Sequence, residues 1–98
     1  MNMQAMMKQA QQLQQKMLKT QEEINNKEFE GKSSLVTVVM TGDKNLKSVK
    51  IAAEELTKED IEALEDMMVI ALNDAIKQIN KETEEKMGAY TKGIPGLF

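Results

Sequence analysis

The chain has 98 residues, enough for one domain, and a monomer of that size buries only roughly two-thirds or less of the surface its unfolded chain exposes, so a contribution from a second subunit is expected. It has no cysteine and no histidine, which removes disulfides, thiolate metal sites and the commonest acid–base side chain; all 13 basic residues are lysine, which removes bidentate arginine readout of guanine. The net charge of −3 conceals a dipole: residues 1–50 hold eight lysines against five acids, +3, and residues 51–98 hold five lysines against eleven acids, −6.

The first predicted element is a helix from Met3 to Asn26. The first twenty-one residues of the chain contain seven glutamines and three lysines, with no acid, glycine or proline. Met3, Ala10, Met17 and Ile24 fall on one heptad position, and Met6, Leu13 and Thr20 on the position three later, so one seam is apolar along the whole segment. At about 100° per residue, Lys8, Gln12, Gln15 and Lys19 lie within about 60° of one another on the opposite side, with Lys16 on the shoulder. Ordinary solvated faces mix charge signs to gain i,i+4 pairs, and this one forgoes them over five turns. Two readings follow: a plain solvated face, or a stripe of ammonium and amide donors suited to phosphate oxygens, which would position the protein on a nucleic acid without reading its sequence.

A short strand is expected at Glu28–Gly31, then strands at 35–40 and 46–51, with Thr41-Gly42-Asp43-Lys44-Asn45 as the turn between the last two. Alternation puts Val36, Val38 and Met40 on one face, to be shared with Val49 and Ile51. Residues 28–51 thus form a small antiparallel sheet with one apolar side. Three strands span only about 14 Å, whereas a helix of 24 residues is about 36 Å long, so its basic N-terminal part must overhang the sheet.

The second helix is expected to start at Thr57, with Asp60 as the partner in a variant capping box, and to stop at Gly88 after Met87. Ile61, Leu64, Met68, Ala71, Leu72, Ala75 and Ile79 make its core stripe. Its middle, Met67-Met68-Val69-Ile70-Ala71-Leu72, is apolar on every side and must be covered on every side; one sheet covers one side, so Met67, Met68, Val69, Ile70 and Leu72 are the expected homodimer interface. Residues 88–98 read as a flexible, glycine-punctuated tail with an apolar tip, Leu97-Phe98, whose sharper alternative is docking on a neighbouring surface.

Catalysis has little material here: Ser33, Ser34 and Tyr90 are lone hydroxyls, there is no glycine-rich phosphate loop, and the acids from Glu54 to Asp66 lack the spacing of a calcium loop. No enzyme, cofactor or metal is expected. No run reaches the roughly 20 apolar residues of a membrane span, and the N-terminus is too polar for a signal peptide, so a cytoplasmic protein without a membrane partner is expected. The scattered aromatics, Phe29, Tyr90 and Phe98, argue against a base-stacking platform for single strands.

The ordered set of these parts resembles the YbaB/EbfC family of bacterial nucleoid-associated proteins. Its carriers are Met6-Met7-Lys8-Gln9-Ala10-Gln11 through Met17, Leu35-Val36-Thr37-Val38 to Gly42, Val49-Lys50-Ile51, Glu65-Asp66-Met67-Met68 to Ala71-Leu72-Asn73-Asp74-Ala75, and Gly93-Ile94-Pro95-Gly96-Leu97-Phe98. The resemblance implies an α+β protomer of order α-β-β-β-α and a tight homodimer whose projecting helices form tweezers. It also implies double-stranded DNA binding that organises the nucleoid and affects expression. In that family the contacts are attributed to projecting helices and termini, which maps here to Lys8, Lys16 and Lys19, then to Lys86 and Lys92. The rival reading is a non-catalytic interaction module whose apolar seam docks a protein partner of recombination or replication.

Overall fold

The structure, a computed structural model, describes residues 2–92. The elements run α1 (Met3–Asn26), β1 (Glu28–Ser33), β2 (Val36–Thr41), β3 (Leu46–Ile51) and α2 (Asp60–Lys92), giving the α-β-β-β-α order and the α+β class. The strands form one antiparallel sheet in the order β1-β2-β3.

Local chemistry sets each boundary. The Asn2 side chain caps α1 by accepting from the Ala5 amide at 2.8 Å, and α1 ends where Lys27 turns to extended backbone. Ser33 pairs with Val36 across a two-residue turn whose first residue, Ser34, has φ 50°. That turn lets β1 run to Ser33, two residues beyond the expected strand. In the β2–β3 turn the Asp43 carboxylate gathers the Thr41 hydroxyl and the Asn45 side chain, which holds its pKa below the ordinary carboxylate value; the Thr41 contribution is the largest. Thr57 and Asp60 make the expected capping contact: the Thr57 amide and hydroxyl both donate to Asp60 Oδ2, at 2.8 and 3.0 Å. The Asp60 amide closes a tight turn onto the Thr57 carbonyl, so the regular helix begins at Asp60 rather than at Thr57.

α2 lies across β1 and β2 and makes no close contact with β3. Beneath it Phe29, Val36, Val38 and Met40 meet Ala71, Ala75 and Ile79, and Leu64, Met67, Met68, Leu72 and Ile76 pack around that core. A Cβ on Gly31 would stand 2.1 Å from the Ala71 carbonyl oxygen, so only glycine lets strand and helix approach this closely. α2 also closes the free edge of β1: Asp74 accepts from the Lys32 amide at 3.0 Å, and the Gln78 amide donates to the Glu30 carbonyl at 2.8 Å.

The other half of the sheet is open. Ile51, Val49 and Leu46 pair with Val36, Val38 and Met40 and therefore share the face turned toward α2, yet all three are exposed. Of the expected core stripe, Ala71, Ala75 and Ile79 are buried, Leu64, Met68 and Leu72 are half-buried, and Ile61 is exposed.

The expected end of α2 is corrected. The helix continues through Gly88 to Lys92, because its last turns pack on α1 and Tyr90 bonds Thr20 there. A glycine inside a helix costs about 1 kcal/mol relative to alanine, and that contact outweighs it. Residues 88–92 are therefore helix rather than tail; the tail expected at 93–98 lies outside the described residues.

Candidate nucleic-acid interface

The root of α1 is clamped. Ile24 is its one fully buried side chain, and a Cβ on Gly42 would fall 1.8 Å from the Ile24 carbonyl oxygen, so the helix end rests directly on the hairpin backbone. The Gly42 amide donates to the Lys27 carbonyl at 3.0 Å. Across the molecule Lys27 Nζ meets Glu82 Oε1 at 2.6 Å and stands 5.3 Å from the centre of the Phe29 ring. The Lys27 hydrogen bond holds the Glu82 carboxyl below the usual glutamate value against a partly burying environment. The second Glu82 oxygen is occluded and has Lys86 Nζ at 3.6 Å, just beyond hydrogen-bond reach. About two helical turns further along, the Thr20 and Tyr90 hydroxyls bond at 2.8 Å.

These pairings make α1 and α2 antiparallel: moving from Lys27 to Thr20 on one corresponds to moving from Glu82 to Tyr90 on the other. At 1.5 Å per residue, the segment from Thr20 back to Met3 extends about 25 Å past that last cross-link. The described molecule is accordingly 71 Å long and only 21 by 13 Å across. The overhang expected from strand and helix lengths is present, and it is the basic half of α1.

On this arm Lys8, Gln12, Gln15, Lys16 and Lys19 are all exposed. Gln12, Gln15, Lys16 and Lys19 together line one open groove of about 440 Å³. Among the described residues none of the three lysines is in an ion pair. No described acidic group pairs with them, and their exposed ammonium groups can meet an anion. A further groove, about 420 Å³ on α2, is lined by Asn73, Ile76, Lys77, Asn80, Lys81 and Glu84 and carries both signs of charge, so it lacks the one-sided character of the arm.

Lys86 stands apart from that stripe. It sits on α2 level with the clamped root, about 24 Å along the axis from Lys8, and its ammonium faces Glu82. Lys92 is the last helical residue, and its side chain lies outside the described residues. Of the residues expected at a dimer interface, Met67, Met68 and Leu72 are half-buried against the protomer's own core, while Val69 and Ile70 are 58 % and 56 % exposed on the side away from the sheet. The clamp residues Lys27, Glu82, Thr20 and Tyr90 carry no local signal, since their partners are 55 and 70 positions away. The long acid-free stripe was the only one of these features visible in sequence spacing.

A family model described as the YbaB/EbfC DNA-binding family matches residues 1–94. The chain belongs to that family. It is 55 % identical over 97 residues to a nucleoid-associated protein of Lactococcus lactis subsp. cremoris (strain MG1363), covering 97 % of this chain and 98 % of the relative. A nucleoid-associated protein of Enterococcus faecalis (strain ATCC 700802 / V583) is 47 % identical over 98 residues, 98 % and 94 % of the two chains. Among solved structures, the uncharacterized protein HP0035 from Helicobacter pylori superposes with a TM-score of 0.75 at 20 % identity, covering 93 % of this chain and 98 % of that one. At that identity the likeness shows a shared fold. Among the described residues no helix is long and apolar enough to cross a membrane.

Proposed function

We propose that this YbaB/EbfC family member is a non-catalytic, nucleoid-associated protein of the bacterial cytoplasm, which binds double-stranded DNA as a homodimer and so organises the nucleoid and influences expression. The observation that carries the reading is the arm: three lysines and two glutamines on one exposed side of a helix, with no acid among them, spread along the first ~18 Å past Thr20, the outermost cross-link to the body among the described residues. Ammonium and amide donors contact phosphate oxygens, and lysine without arginine gives positioning with little base discrimination. The family and the names of the bacterial relatives support DNA as the partner.

Pairing of two copies is supported by two unmet apolar surfaces in each. The inner face of β3 has no helix above it, and Val69 and Ile70 on the outer side of α2 have no sheet below them. A two-fold axis that sets the outer side of each α2 against the open half of the other sheet satisfies both at once, with the two helices sandwiched between the sheets. The expected interface thereby shifts its weight: Val69 and Ile70 stay in it, and Leu46, Val49 and Ile51 join them.

The test is Lys8→Glu with Lys19→Glu, read by fluorescence anisotropy of a labelled duplex and by sedimentation equilibrium. The reading expects binding to be lost and the dimer kept. Unchanged binding by the folded variant would move the site off the arm. A second reading, docking of a protein partner of recombination or replication, draws on the exposed Met3, Met6 and Met7 along the arm. It expects Met6→Asp, and not the lysine reversals, to abolish the partner complex.

A further inference from the structure

The chain has nine methionines, and the fold sorts them by position. Met40 is buried in the core, and Met17, Met67, Met68 and Met87 are half-buried. Met3, Met6 and Met7 are 78 %, 55 % and 59 % exposed, and all three stand in the first two turns of α1. An apolar seam by itself is served as well by leucine, which occupies the same seam at Leu13. A thioether adds what leucine lacks, a soft and neutral donor atom.

The spacing gathers the three side chains on one side of the helix. Met6 and Met7 are the i+3 and i+4 neighbours of Met3, within about 100° of arc and with Cβ atoms about 5–6 Å from that of Met3. The turn that carries them is closed: the Asn2 side chain accepts from the Ala5 amide at 2.8 Å, and the Met6 amide donates to the Asn2 carbonyl at 3.2 Å. The backbone is thus ordered before any ligand arrives, while the unbranched side chains keep the freedom to converge on one ion. Lys8 lies about 140° round the helix from Met3, so the cation stripe stays off this side.

The donor set selects the ion. Neutral thioethers offer no charge to offset a divalent ion and bind hard ions poorly, which leaves a soft monovalent one. The chain has no cysteine and no histidine to compete for it. Among the described residues no group of three or more carboxylates is placed to hold a metal either. We propose that Met3, Met6 and Met7 form a three-thioether seat for Cu(I) at the tip of the arm. Thioethers are a donor class apart from the thiolates, imidazoles and calcium-loop carboxylates whose lack leads to the expectation of no metal. The seat concerns the apolar side of the arm and stands whether or not the basic side binds DNA.

The test titrates the full chain with Cu(I) under anaerobic conditions against a chromogenic Cu(I) chelator, with ¹³C-labelled methionine methyls as a second readout. One Cu(I) per chain is expected, with sulfur as its neighbour in X-ray absorption. Shifts are expected at the Met3, Met6 and Met7 methyls and none at Met40, Met67 or Met68. Met3→Leu with Met6→Leu and Met7→Leu should lose the binding while helix content and the unfolding midpoint stay at wild type, since leucine conserves volume and helix propensity. Affinity should also hold constant between about pH 8 and about pH 6, because a thioether has no proton to lose. Absence of binding, or full binding by the triple variant, would overturn the proposal. So would affinity that falls with pH across that range, which would assign the ion to the α-amino group.

Discussion

The two halves of α1 share one seam and one helical period, yet they answer to different demands. From Thr20 to Asn26 the helix is fastened by Ile24 against the Gly42 backbone and by Thr20–Tyr90, with Lys27–Glu82 just beyond its end. From Met3 to Leu18 no cross-link of that kind to the body is present among the described residues, and the charged side carries one sign only. The lesson is that a helix can be a core element at one end and an interaction surface at the other without any break in its pattern. Substitutions should therefore sort cleanly: root changes act on stability, arm changes on DNA.

The sharpest way to break the root is Gly42→Val. The added side chain has nowhere to go, since even its Cβ would lie 1.8 Å from the Ile24 carbonyl oxygen, and the expected loss is about 3 kcal/mol in urea unfolding. A stability within experimental error of wild type would mean that the root is not clamped there.

On the arm, the proposed function requires Lys16→Gln to remove one phosphate contact from each protomer. Binding should weaken about tenfold across unrelated duplexes, with the salt slope reduced by about 2 and the unfolding midpoint unchanged. Loss restricted to one duplex sequence would contradict a backbone-directed arm.

Tyr90→Phe is a smaller probe of the boundary between the halves. It leaves the Thr20 hydroxyl without its partner at 2.8 Å, for about 1 kcal/mol of stability and faster amide exchange toward Met17. The smallest effect concerns acid. The folded Glu82 carboxyl is held below its ordinary value of 4.5 by Lys27, so its stabilisation is complete above that value and lost as pH falls through the lower folded one. Glu82→Gln should consequently be less stable than wild type at neutral pH, and the gap should close in acid; a gap that persists at low pH would remove the ion pair from the account.

Much of this division was legible in the sequence. The heptad seam, the acid-free stripe and the Asn25-Asn26 stop predicted α1 to both of its boundaries, because helix period and capping are local properties. Strand alternation likewise predicted that Val49 and Ile51 share a face with Val36 and Val38. What could not be read depends on partners far along the chain. Gly88 reads as a stop, and it is overruled by Tyr90 reaching Thr20, 70 residues away. Asp74 and Gln78 read as ordinary polar positions on a helix, and only the fold shows them closing the β1 edge. Lys86 is different: Glu82 stands four residues before it on the same helix, a local i,i+4 spacing that is visible in the sequence.

The proposed DNA contact through exposed lysines on two arms is tested most directly by the affinity for a mixed-sequence duplex at a series of salt concentrations. Three phosphates per arm and six per dimer predict that log K falls against log salt with a slope of roughly −5. Saturable binding with a slope near that value is the expected result; a slope near zero, or no binding at low salt, would contradict it.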